Sequence, residues 1–261
     1  MADLRRSELG NFLRSRRERL SPKAVGLRGA RRRRTPGLRR EEVAELAGIG
    51  VDWYIRLEQG RTVSPSITTI DALARALRLS KLDHAHLRTL ARSPERVERV
   101  AFARELVPGA LRRLVDSLSV PAYITGRRWD LLAWNAAAAD AVTDFARVAE
   151  PDRNILVYML TDPDARRVFG ATWNDEARRM VAQFRSTYDQ WAGDPAFREL
   201  LDRLRTESPE LATWWEAHDI RSGTSGHKLL HHPTKGPRRF EYATFQANDD
   251  PALKLAIYTP V

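Results

Sequence analysis

The chain has 261 residues, no cysteine, and 44 Lys+Arg against 34 Asp+Glu, for a net charge of +10. The missing thiols exclude disulfides, thiolate nucleophiles and Cys-ligated metals. No signal-like apolar core and no run near the ~18 residues of a membrane span is present, so a soluble, cytoplasmic protein is expected, with no cofactor and no metal. Such a length suggests one to two domains. Residues 1–92 hold 21 basic and 10 acidic side chains, and 93–261 hold 23 and 24. Positive excess confined to the first third predicts a nucleic-acid-binding module joined to an ordinary globular one.

A first helix puts Leu9, Phe12, Leu13 and Leu20 on one face and Arg14, Arg16, Arg17 and Arg19 on the other; Ser21-Pro22 ends it. Lys23 to Gly37 reads as a loop holding Arg31, Arg32, Arg33 and Arg34, a run that repels itself unless anions are near. Leu38 to Gly60 reads as two short helices around the turn Ala47-Gly48-Ile49-Gly50. Leu38, Val43, Ala44 and Leu46 supply the apolar face of the first, and Ile49, Tyr54 and Leu57 resume it in the second. Val51, Asp52 and Arg56 lie together on the outward side. This is the layout of a helix-turn-helix, whose second helix enters the major groove of DNA. Ser64-Pro65-Ser66 caps a fourth helix with Ile67, Ile70, Leu73, Ala74 and Leu77 inward, and Ser80 caps a fifth with Leu82, Leu87 and Leu90. The expected domain over 1–92 is therefore all-α, with five helices.

Residues 93–108 form a charged, helix-compatible connector, and 109–261 a second domain. Strand-like pieces are Ala122 to Thr125 and Trp129 to Trp134, with Gly126-Arg127-Arg128 turning between them. Ala136 to about His218 reads as helical. Lys228 to His231, Phe240 to Phe245 and Leu253 to Tyr258 are further strands, with Gly236-Pro237 and Asp249-Asp250-Pro251 as breakers. Strands outside and helices between predict an α+β domain with an antiparallel sheet.

The first ninety residues resemble the Xre class of helix-turn-helix regulators, through Leu57-Glu58-Gln59-Gly60 at the end of the motif. TPGLRREEVAELAG and VDWYIRLEQGR, which start at Thr35 and Val51, bring the resemblance closer to the MmyB-like regulators. Trp134-Asn135, Ser208-Pro209-Glu210-Leu211, Trp215, His218-Asp219-Ile220-Arg221, Gly226, Lys228, His232-Pro233, Tyr242, Phe245 and Tyr258-Thr259 extend it into the second domain. That domain is similar to their PAS-like ligand-binding domain. Gly50 departs from the pattern, because Ser usually caps there.

The resemblance implies that Val51, Asp52 and Arg56 read base edges. Arg56 can donate to guanine O6 and N7, Asp52 can accept from a cytosine amino group, and Val51 can touch a thymine methyl. Asp52 also suits the positive end of its helix, and Arg56 also suits Glu58 or a phosphate. Arg39, Arg40 and Arg61 fall where phosphates pass. Arg31 to Arg34 suit the DNA backbone, an adjacent minor groove or plain solvent. Glu58 reads as a brace of the fold. Trp53 can pack inward or lie on a sugar-phosphate. Double-stranded DNA, a palindromic operator and a homodimer are the implied partners.

For the second domain the resemblance implies a small hydrophobic, fatty-acid-like effector between sheet and helices. Its candidate lining is Leu131, Ala133, Trp134, Phe169, Trp173, Phe184, Tyr188, Trp214, Trp215, Tyr242 and Phe245, each of which can equally be plain core. A protein-interaction module without a small-molecule ligand is the alternative. An enzyme is not expected: His227 and His231 lie on a strand, no Gly-x-Ser-x-Gly is present, and Ser222 to Gly226 lacks the lysine of a phosphate loop.

Overall fold

The computed structural model describes residues 2–27, 37–61, 65–91, 102–191, 193–221, 223 and 225–261. Its contacts divide the chain into two compact units. One holds 1–100, 188–198 and 216–220; the other holds 101–187, 199–215 and 221–261.

The first unit is helical: α1 (Ala2–Arg19), α2 (Arg40–Ala47), α3 (Val51–Glu58), α4 (Ile67–Ala76) and α5 (Lys81–Ala91). Phe12, Leu13, Leu38, Val43, Ala44, Tyr54, Leu57, Leu73 and Leu87 close one core, and Ile220 joins it from far along the chain. The Ser66 and Ser80 hydroxyls accept the Thr69 and Asp83 amides, each at 3.1 Å, and so cap α4 and α5. Gly48 ends α2 at φ +66°, a conformation that costs glycine nothing. At Gly10, α1 meets the end of α3 backbone to backbone: an added Cβ would lie 2.4 Å from the Glu58 carbonyl oxygen.

Two expected core residues are not inside. Leu46 is 39% exposed and Ile67 is 74% exposed. Leu46 falls at the margin of the stripe of Val43, Ala44 and Ala47. Ile67 prolongs the stripe of Ile70, Leu73 and Ala74 one turn past its cover. Arg17, expected on the solvent face of α1, is buried.

Among the described residues the α-helices that follow are α6 (Gly109–Ser117), α7 (Ala136–Ala141), α8 (Ile155–Thr161), α9 (Pro163–Phe169), α10 (Trp173–Gln190), α11 (Pro195–Glu207) and α12 (Pro209–Glu216). The strands of the second unit are β1 (Ala122–Thr125), β2 (Leu131–Trp134), β3 (Ser225–His232), β4 (Gly236–Gln246) and β5 (Lys254–Pro260). They pair antiparallel in the order β2-β1-β5-β4-β3, as the α+β reading expects. Alternation sorts the faces. Ile124, Ala133 and Leu255 pack with Val115 of α6 on one side. Tyr123, Trp134, Ala256 and Tyr258 take the other, which is called the inner face below.

Residues 102–108 carry no helix, contrary to the helix-compatible connector; residues 93–101 lie outside the described residues. Gly236-Pro237 opens β4 rather than interrupting it. The turn is Pro233 to Lys235, with Gly236 at φ +74°. Proline is tolerated there because β5 reaches only to Phe240, so no second strand asks Pro237 for an N–H. Among the described residues no helix is long and apolar enough to cross a membrane.

Candidate DNA interface and sensor face

In α3, Tyr54, Leu57 and Glu58 point inward and Asp52 and Arg56 are exposed; Val51 is 36% exposed. Trp53 packs against the core cluster rather than standing free. Gly50 occupies the N-cap without a side-chain hydrogen bond. The three expected base readers thus share one open face.

The arginines expected at phosphates are placed differently from one another. Arg39 is exposed at the N-cap of α2, and its amide donates to the Glu42 carboxylate at 2.7 Å. Arg61 is exposed just past Gly60. The Nε of Arg40 donates to Glu58 at 2.8 Å, with the side chain 33% exposed, so part of its donor capacity already serves the fold. Arg31, Arg32, Arg33 and Arg34 lie outside the described residues.

Glu58 is the centre of this arrangement. Arg17 donates to both its oxygens, at 2.7 and 2.9 Å, and Arg14 comes within 3.7 Å. Burial alone would raise the carboxyl's pKa, but hydrogen bonds and charge from Arg17, then Arg40, outweigh it and hold the group below its ordinary value. The Tyr54 hydroxyl is pushed far up, first by burial and then by the Glu58 charge. The pairing with Arg17 was missed in the sequence, although Arg17 continues the i, i+4 stripe of Leu9 and Leu13.

Other arginines of α1 are also engaged. Arg16 donates to Asp83 at 3.0 Å and to the His218 carbonyl at 2.8 Å; Arg19 pairs with Asp219 at 2.7 Å. Asp189, 1% exposed, sits 3.0 Å from the Nε2 of buried His86, whose ring stands edge-on to Phe12 at 5.0 Å.

The eleven candidate lining residues do not share one chamber. Phe169 and Tyr242 join Tyr258 around the buried Lys228, whose Nζ lies 5.4, 4.9 and 5.5 Å from the three rings. Glu176 approaches that ammonium at 3.5 Å, and Arg179 bonds both Glu176 and the Tyr242 hydroxyl. The Tyr123 and Tyr258 hydroxyls are 3.0 Å apart, and burial pushes Tyr258 up to about 12. Phe184 packs edge-on to Trp129 at 5.6 Å, and Trp134 to Phe145 at 5.8 Å. Trp173 and Trp214 are 6.0 Å apart, with Arg166 over the Trp173 ring. Trp215 carries the buried Arg185 on its ring. Leu131, past a bulge, pairs with Thr125.

Three positions depart from the expected lining. Ala133 faces α6, because strand alternation turns it away from Trp134. Tyr188 is buried in the first unit, where the last turn of α10 belongs. Phe245 stands opposite Leu255 on the α6 side and is 55% exposed. Glu176, Arg179, Tyr123 and Trp129 were missed. Their signals were an i, i+3 pair beside the apolar stripe of α10, alternation in β1, and a hairpin turn ending in tryptophan.

An open recognition helix on one unit and an antiparallel sheet under helices in the other define a helix-turn-helix DNA-binding regulator with a ligand-binding-type domain. Residues 8–87 match the helix-turn-helix domain family. Residues 107–261 match the MmyB-like transcription regulator ligand binding domain, and the chain belongs to that family. Both are regulator and ligand-binding families rather than enzyme families. No curated protein matches the chain.

Proposed function

We propose that the protein binds a palindromic operator as a homodimer and that a small hydrophobic, fatty-acid-like effector in the C-terminal domain shifts its affinity for DNA. In this reading the domains are 1–92 and 109–261, joined by 93–108. Val51, Asp52 and Arg56 read bases. Arg39, Arg40, Arg61 and the run Arg31 to Arg34 hold phosphates. What carries the reading is the single open face of α3, where three side chains able to contact base edges stand clear of the core. One module of this size covers only about 600–1,000 Å² of protein surface on DNA, which favours two modules on a twofold axis.

The effector reading is supported by an inner sheet face rich in rings and donors, above which α10 supplies Glu176 and Arg179. An effector that prefers one conformation typically couples to DNA by about 1–3 kcal/mol. A second reading, a protein-interaction surface without a ligand, is favoured by one observation: Leu114 and Phe245 are 46% and 55% exposed on the α6 side. Native mass spectrometry separates the two. A co-purifying small molecule, or a mass shift on adding a lipid extract, is expected. Protein that stays ligand-free throughout contradicts the effector reading.

A further inference from the structure

We propose that residues 102–107 act as a strap, fastened by Glu105 to the β1–β2 turn, that passes the state of this turn into the connector and so to operator binding. This rests on the DNA-binding reading and holds whatever the effector is.

Side chains fasten the strap along one margin of the sheet, where β2 is the edge strand. Arg104 donates to the Leu131 carbonyl of that strand at 3.2 Å and pairs with Glu150 at 3.0 Å. Phe102 carries the Arg128 guanidinium 5.0 Å above its ring. Val107 joins the core that α6 closes. The central fastening is Glu105, whose side chain is only 6% exposed. Its Oε1 accepts the Arg127 amide at 3.0 Å. A Cβ at Gly126 would collide with its Oε2. The glycine of the turn and the carboxylate of the strap are thus fitted to one another.

The turn itself is strained. Trp129 sits at φ +69°, a left-handed conformation rare for a bulky residue. Such strain persists only where the surroundings over-determine it, and here they do. The Trp129 amide donates to the Gly126 carbonyl at 3.0 Å, and its own carbonyl accepts from Ile155 at 3.1 Å. Arg128 and Asn154 donate to the buried Asp130 at 3.0 and 3.1 Å. The Trp129 ring stands edge-on to Phe184 of α10 at 5.6 Å.

Two polar atoms of this arrangement are buried without a hydrogen-bond partner among the described residues: the Trp129 Nε1 in the turn and the Glu105 Oε2 in the strap. An unmet buried donor and an unmet buried acceptor are both unfavourable. Together with the strained backbone they leave the turn poised to take a second arrangement, as a switching element must. A displacement of α10 that moves Phe184 turns Trp129, draws the Arg127 amide from Glu105 and loosens the strap. The strap continues directly into 93–101, so its release reaches the first unit through the chain itself.

Two measurements on the full chain test this. Trypsin should cut after Arg104 at least about fivefold faster in Glu105→Ala and in Gly126→Ala than in the wild type, because both release the strap. Competition binding to a selected operator should show each variant altered at least about threefold. The double variant should match Glu105→Ala within about twofold, because without the carboxylate the added methyl meets nothing. Trp129→Gly, which relieves the backbone and frees Phe184, should likewise shift operator affinity only while Glu105 is present. Unchanged cleavage after Arg104 overturns the fastening. Operator affinity indifferent to these variants, or effects of Gly126→Ala and Glu105→Ala that simply add, overturns the relay. A wild type that selects no DNA sequence sinks the DNA-binding reading and this inference with it, whereas a selective wild type with indifferent variants sinks this inference alone.

Discussion

Arg56 and Arg17 are both arginines of one small helical unit, yet their surroundings give them opposite tasks. Arg56 stands on the open side of α3, and Arg17 is spent inside on Glu58. Arg56→Ala is therefore expected to leave the melting temperature nearly unchanged and to cost about 1–3 kcal/mol of discrimination at one base pair; selection from a random DNA pool followed by competition binding measures it. Glu58→Gln should instead cost about 3–5 kcal/mol, because it leaves Arg17 buried beside a neutral group. The cost should depend on pH. The folded pKa of Glu58 lies below its unfolded value of about 4.3, so its contribution is complete above that value and fades as pH falls through the folded one. Thermal melts of wild type and Glu58→Gln should be far apart at pH 7 and converge on acidification; a constant gap would argue against the ion pair. The outward face of α3 was legible because helical periodicity sorts inside from outside. The Arg17 partnership was not, because an arginine in an apolar stripe reads as surface until its carboxylate is located.

At the scale of elements, the motif depends on how α1 closes against α3. The missing Cβ at Gly10 lets the two backbones touch. Gly10→Ala is expected to push α1 outward and destabilise the unit by about 1–3 kcal/mol, read as a lowered midpoint in urea; an unchanged midpoint would mean that the contact yields freely. The five strands were legible from alternation and turn residues, and their bounds shift by only a few positions. Two details were hidden. The start of β4 accepts Gly236-Pro237 because β5 is too short to object. Of the residues expected on the inner sheet face, Ala133 and Phe245 point the other way, because alternation says that neighbours face apart but not which side the longer helices cover.

For the whole molecule, the charge asymmetry sets 1–92 apart from the rest, and the basic excess lies on the unit that bears α3. What no local pattern announced is that 188–198 and 216–220 return to that unit and contribute Asp189, Asp219 and Ile220. Contacts across some two hundred residues leave no periodic trace. The proposed homodimer predicts sedimentation at twice the mass of one chain and two chains per operator. A single chain both free and on DNA would remove the twofold arrangement without touching the recognition helix.

The recognition helix itself is tested most directly by methylating guanine N7 in a selected operator and asking which methyl groups block binding. Interference is expected at guanines in two major-groove segments about 10 base pairs apart, and one guanine in each half should stop mattering for Arg56→Ala. Binding indifferent to N7 methylation, or an identical pattern in wild type and variant, would contradict major-groove reading by α3.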